Sequence, residues 1–164
     1  MELNPKSART LFVQYIALAN VGKLDDAEAS LRRAIALEPG NARLYCHLGI
    51  LLEREDRNAE AERFFRKAIQ LKPANALSHY ELGKLLANSS HLRPAVLELE
   101  QAIRYDPGLT SAYYQLGRIY AKVGEPEKSA HMLAEFDRLR KQDQQEPRDD
   151  QAHEDDAKKE METQ

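Results

Sequence analysis

Cys46 and His47 are neighbours in the chain, the pairing from which a thiolate nucleophile and its imidazole base are built. Adjacent residues of a helix point about 100° apart, so on a helix these two cannot face one substrate. The other histidines, His79, His91, His131 and His153, make no metal pair with a carboxylate at helical spacing. A glycine-rich phosphate loop and a GxSxG elbow are both missing. Asn88-Ser89-Ser90 fits a glycosylation sequon, but with no export signal beside it the match is read as chance. Arg32-Arg33 and Lys158-Lys159 are too short to form nucleic-acid patches. What remains is the chemistry of capture. Tyr80 with Lys84, and Tyr114 with Arg118, stand four residues apart and therefore side by side on a helix.

Side chains of that kind need a frame, and prolines mark it. Pro5, Pro39, Pro73 and Pro107 are separated by 34, 34 and 34 residues, a fixed period of the length that stacked repeats use. Independent columns agree with it: Leu48-Gly49, Leu82-Gly83 and Leu116-Gly117; Ala27, Ala61 and Ala95; Ala34, Ala68 and Ala102; Leu31, Phe65, Leu99 and Leu133. Within a unit, apolar residues recur at helical spacing, as in Leu44, Leu48, Leu51 and Leu52, then Phe64, Phe65, Ala68, Ile69 and Leu71. Gly22 and Gly124 are placed as helix terminators between the two helices of their units. The proline closes the second helix, since it lacks an amide donor and disfavours helix in the residue before it. The Gly and Ala columns mark close helix crossings. The pattern predicts four helix-turn-helix units that cover each other's apolar faces.

On these residues the chain resembles the tetratricopeptide repeat (TPR) family, whose 34-residue pattern it follows. The best match is LYCHLGILLEREDRNAEAERFFRKAIQLKP, from Leu44 to Pro73, followed by SAYYQLGRIYAKVGEPEKSA; the likeness extends over residues 8 to about 141. It implies an all-α, right-handed α-solenoid of about four units: 8–41, 42–75, 76–109 and 110–142. Residues 1–7 are read as the remnant of a preceding helix end, because Glu2-Leu3-Asn4-Pro5 repeats the strings that close at Pro39 and Pro73. Departures are specific. Leu11, Tyr45, His79 and Tyr113 hold the usual tryptophan position, and Gln14 and Tyr15 replace the Leu-Gly pair of the first unit. In the last unit Ser129 and Phe136 replace alanines and Asp137 replaces an isoleucine, the polarity expected of a helix with no unit after it.

Stacked repeats curl, and the first helix of each unit lines the concave side. On the ruler Phe12, Cys46, Tyr80 and Tyr114 make one row there, and Ile16, Ile50, Lys84 and Arg118 the next. Flanking rows are Arg9, Arg43, Leu77 and Ser111, then Asn20, Arg54, Asn88 and Lys122. Phe12, Ile16, Ile50, Tyr80, Lys84, Tyr114 and Arg118 are the candidate peptide-binding residues, suited to a protein segment with an acidic group and an apolar anchor. Some chaperone-binding TPR domains clamp a C-terminal carboxylate with lysine, asparagine and arginine. The matching places here hold Phe12, Ile16, His47, Leu77 and Glu81, or one unit later Cys46, Ile50, Glu81, Ser111 and Gln115, so that clamp is not expected.

Composition limits the remaining readings. With 42% apolar and 31% charged residues among 164, a real core and a wet surface are both possible. No stretch reaches the roughly 20 apolar residues of a membrane span, and one cysteine cannot form an internal disulfide. The expectation is a cytoplasmic, non-catalytic scaffold with no cofactor, metal, nucleic acid or membrane partner. Two alternatives stand beside it: an accessory array of a larger enzyme or secretion machine, and an adaptor that self-associates through an uncapped first repeat. The net charge of -3 is unevenly placed: residues 142–164 hold nine acids against three bases, a net of -6, and residues 1–141 carry +3. The acidic end, 143–164, has the composition of a disordered tail, and its charge is complementary to the cationic half of the groove.

Overall fold

The computed structural model describes residues 7–145, and every regular element among them is a helix. The order is α1 (Ala8–Asn20), α2 (Leu24–Leu37), α3 (Ala42–Arg54), α4 (Asn58–Leu71), α5 (Ala76–Asn88), α6 (Leu92–Tyr105), α7 (Thr110–Lys122) and α8 (Pro126–Gln145). Each odd-numbered helix packs most heavily on the even-numbered helix that follows, and next on the one before it. Ser7, assigned from the sequence to the lead-in, instead caps α1 by accepting from the Thr10 amide at 3.1 Å. At the other end α8 runs to Gln145, so 143–145 are helix rather than tail; residues 1–6 and 146–164 lie outside the described residues.

The small-residue columns do the work the spacing predicts. Ala27, Ala61, Ala95, Ala34, Ala68 and Ala102 are all fully buried, as are Leu31, Phe65 and Leu99. A Cβ on Gly49 would sit 2.5 Å from the Phe65 ring, one on Gly83 2.7 Å from Leu99 Cγ, and one on Gly117 2.7 Å from a Leu133 methyl. The paired helices therefore approach closely enough that the large residue of the second fills the space left by the glycine of the first. Where the last unit departs, the structure shows why it is tolerated. Ser129 donates to the Gly117 carbonyl at 2.8 Å, and Phe136 lies 5.3 Å from the Tyr114 ring on a helix with no following unit to obstruct it.

Two further columns hold the units in register. Tyr45 donates to the Pro39 carbonyl and Tyr113 to the Pro107 carbonyl, both at 3.1 Å. His79 does the same through Nε2 to Pro73 at 2.8 Å, with Nδ1 2.7 Å from the Glu98 carboxylate. The histidine thus repeats the hydrogen bond that ties α3 and α7 to the loops leading into them, a bond that Leu11 in the same column of α1 has no group to make. The turn inside each pair places one residue in the left-handed region: Gly22 at φ +77°, Asp56 at +59°, Ser90 at +63° and Gly124 at +78°. Asparagine and aspartate enter that region at modest cost, and serine less readily.

The glycine crossing is testable through a double-mutant cycle. Gly83→Val should lower stability by about 2 kcal/mol through overpacking against Leu99 and the Ala95 carbonyl, the latter 3.1 Å from the added Cβ. Leu99→Ala alone should cost about 2–5 kcal/mol. The double variant should be more stable than the sum of the two losses by more than about 1 kcal/mol in urea unfolding, and strict additivity would contradict the packing described.

Candidate functional site: the inner face of the array

Across units α3 touches α5 and α5 touches α7, so the odd-numbered helices lie on the inside of the curve. The candidate residues are placed on that face with unequal exposure. Tyr114 is 42% exposed and Ile16 41% exposed; Phe12, Ile50, Tyr80 and Lys84 are half-buried, and Arg118 is exposed. The helical pairing of aromatic and cation is present: the Arg118 guanidinium lies 5.7 Å from the Tyr114 centroid and Lys84 Nζ 6.0 Å from that of Tyr80. Cys46 interrupts its row. It is fully buried, and burial pushes its thiol up to about 11, far from the range of a reactive thiolate.

Lys84 already has partners. Its ammonium sits 3.1 Å from Glu53 and is bonded to Glu81, a carboxylate only 8% exposed. Burial alone would lower the Lys84 pKa, but the bond to Glu81 and the attraction of both carboxylates hold it above its ordinary value. Burial in turn raises Glu81, against the pull of Lys84. The middle of the groove is therefore an internally satisfied ion cluster. The sequence rows grouped Lys84 with Arg118 without its partners, because Glu81 belongs to the row Val13, His47, Glu81 and Gln115 and Glu53 to the row Ala19, Glu53, Ala87 and Ala121, neither of which was among the groove rows.

At the N-terminal end the aromatic residues form a cluster that the row arithmetic also missed. Arg43 stacks 4.5 Å above the Phe12 ring, and His47 meets Phe12 edge-on at 4.8 Å. His47 Nδ1 lies 3.4 Å from the Tyr15 hydroxyl, so the tyrosine that replaces the first glycine bridges two units. Val13 and Ile16 stay exposed beside this cluster. Burial, then the charge of Arg43, brings the His47 pKa down to about 4. Among the described residues no group of His, Cys, Asp and Glu is arranged to hold a metal ion, and no helix is long and apolar enough to cross a membrane.

A curved stack of helix pairs with a polar and aromatic inner face is the architecture of a helical-repeat scaffold. Two family profiles, both described as Tetratricopeptide repeat, match residues 14–76 and 110–143, together more than half of the chain. The chain belongs to the tetratricopeptide repeat family, whose members are generally non-catalytic protein-interaction modules. Curated proteins give no match to it. Among solved structures, a crystal structure of MamA aligns with a TM-score of 0.76 at 23% identity, covering 85% of this chain and 82% of that one. MamA 41-end from Desulfovibrio magneticus RS-1 aligns at 0.72 and 20% identity, covering 85% and 78%. PilW, described as a widely conserved type IV pilus biogenesis factor, aligns at 0.74 and 20% identity, covering 84% of this chain and 64% of its own. At these identities the likeness defines the fold, the right-handed α-solenoid that the repeat implies.

The cluster around His47 has a measurable pH signature. Its folded pKa lies below the ordinary value of 6.5, so the neutral ring favours the fold above that pH, and the contribution is lost as pH falls toward 4. Allowing for water around the half-buried ring, the wild type should lose about 1–2 kcal/mol between pH 7 and pH 4 relative to a His47→Gln variant. Parallel stability curves for the two proteins would contradict this assignment.

Proposed function

We propose that the chain is a non-catalytic scaffold that captures an acidic protein segment, anchored by an apolar side chain, along the face formed by α1, α3, α5 and α7. The observation that carries this reading is a separation of charge. The four inner helices hold six bases, Arg9, Arg43, Arg54, Lys84, Arg118 and Lys122, against two acids, Glu53 and Glu81. The four outer helices hold equal numbers of each, eleven of both signs. Both inner carboxylates bind Lys84, leaving Arg9, Arg43, Arg54, Arg118 and Lys122 with no carboxylate partner among the described residues. A groove with that net charge concentrates an anionic ligand and favours its approach.

Apolar contact comes from Phe12, Ile16 and Ile50 toward the N-terminal end, and from Tyr80 and Tyr114 toward the other. Tyrosines supply large contact area at low rotamer cost, and an arginine grips a carboxylate through two parallel bonds. A groove of this size suits micromolar affinity, about -8 kcal/mol. The reading places the chain in the cytoplasm, as part of an assembly whose other members supply the chemistry.

The test is affinity capture from native lysate with the wild type and with a Tyr80→Ala/Tyr114→Ala/Arg118→Ala variant, after circular dichroism has shown equal helicity. Ligands of the groove should fall at least about tenfold in recovery with the variant, a loss of about 1.4 kcal/mol or more, and weaken as salt rises. Identical recovery would contradict the proposal.

A further inference from the structure

Two cavities open side by side on the edge of the array where α3 and α5 begin. One, of about 160 Å³, is lined by Arg9, Phe12 and Arg43 among others, and the second, of about 480 Å³, by Arg43, Leu71, Lys72 and Leu77. Arg43 stands between them. Arg9, Arg43 and Lys72 have no carboxylate partner among the described residues, and the acid at this edge, Glu38, already accepts from Asn41 Nδ2 at 2.8 Å. The amino ends of α3 and α5 add their partial positive charge on the same side. The edge is therefore cationic, with Leu71 and Leu77 as apolar floor.

The path of the chain points to an occupant. Only three residues, Val123–Glu125, join α7 to α8, so the two helices run antiparallel and α8 descends toward the edge from which α7 rises. With 20 residues against the 13 of α7, α8 ends past that edge. The residues after it, 146–164, hold eight acids against three bases, with Asp149-Asp150 and Glu154-Asp155-Asp156 as two compact blocks. Nineteen residues reach up to about 60 Å when extended, and α3 lies about 30 Å or less from α8 if packed helices sit about 10 Å apart.

We infer that residues 146–164 lie in cis across the Arg9, Arg43 and Lys72 edge, where they compete with an acidic ligand for the mouth of the groove. The inference rests on the reading of the inner face as an acidic-segment site and adds that the chain carries one such segment itself. Its target differs from the cationic C-terminal half suggested by sequence, because Lys84 is consumed by Glu53 and Glu81 and because Arg118 and Lys122 lie toward the end of α7 opposite the edge at which α8 finishes. Tethering gives the segment an effective concentration in about the millimolar range, enough for weak ionic contacts to hold it.

The experiment compares ¹⁵N-labelled full-length wild type with a full-length variant carrying Asp149→Asn, Asp150→Asn, Glu154→Gln, Asp155→Asn and Asp156→Asn. Amide shifts should differ at Arg43, Lys72 and Leu77, the difference should vanish in 0.5 M salt, where the Debye length is about 4 Å, and it should survive tenfold dilution. A synthetic peptide of residues 146–164 should move the same amides of the variant toward their wild-type positions and bind the wild type at least about tenfold more weakly, because the tethered copy competes. No shift at Arg43, shifts centred on Arg118 and Lys122, or a difference lost on dilution would each overturn the contact in cis. Failure here with partner capture still dependent on Tyr80, Tyr114 and Arg118 leaves the groove reading standing; loss of both removes it.

Discussion

The close crossing of paired helices at the glycine column is the constraint on which the rest depends. With no Cβ at Gly49, Gly83 and Gly117, the second helix of each pair settles near enough for Phe65, Leu99 and Leu133 to occupy the vacant space. That approach sets the angle between helices, and with it the wedge shape of the unit. Repetition of the same wedge at 34-residue intervals bends the stack, putting α1, α3, α5 and α7 on the inside. The hydrogen bonds from Tyr45, His79 and Tyr113 to the carbonyls of the spacing prolines then fix how each unit meets the one before it. Tyr15 shows that the crossing has a second solution: the first unit spends a large ring on the junction with His47 where the others use none.

On this geometry rests the proposal that the inner face is a place of capture. Its one thiol is sealed in and held in the protonated form, and its histidine is kept neutral by burial against two aromatic rings. Neither is presented as a nucleophile or base to a bound substrate. What the face does present is charge that lacks a counterpart in the chain, set beside rings and branched aliphatic groups. The paired carboxylates at Lys84 divide it into an arginine-rich N-terminal stretch and a Tyr114–Arg118 C-terminal stretch. On the proposed reading, a ligand that spans both passes over a centre where Glu53 and Glu81 disfavour further negative charge, which would put its acidic residues at its two ends.

Much of the frame was legible because packing repeats whatever it needs. The proline ruler, the Gly-bulky pairs and the buried alanines are columns in which the same contact recurs, and the helix pairs follow from them. Single-unit features were harder to read. Asp56 and Ser90 occupy the same left-handed turn as Gly22 and Gly124, though an aspartate signals it more weakly than glycine and a serine hardly at all. Ser7, Asn41 and Asn75 share the helix-capping position at the 34-residue spacing, a column the proline ruler contains but apolar periodicity does not reveal. The inner rows were correctly assigned to the odd-numbered helices, but the pairing of Lys84 depends on side chains from two different units and two different rows. Likewise, nothing in a list of groove positions distinguishes Cys46, closed over by its neighbours, from Tyr114, which projects into water.

The central claim is that the inner helices, and not the outer ones, form the surface that engages a partner. Hydrogen–deuterium exchange on the full chain, with and without the ligand recovered through the groove, addresses it most directly. Binding should slow exchange in peptides from α1, α3, α5 and α7 and leave α2, α4 and α6 at their free rates. Protection concentrated on α2, α4 and α6, with the odd-numbered helices unaffected, would contradict the account.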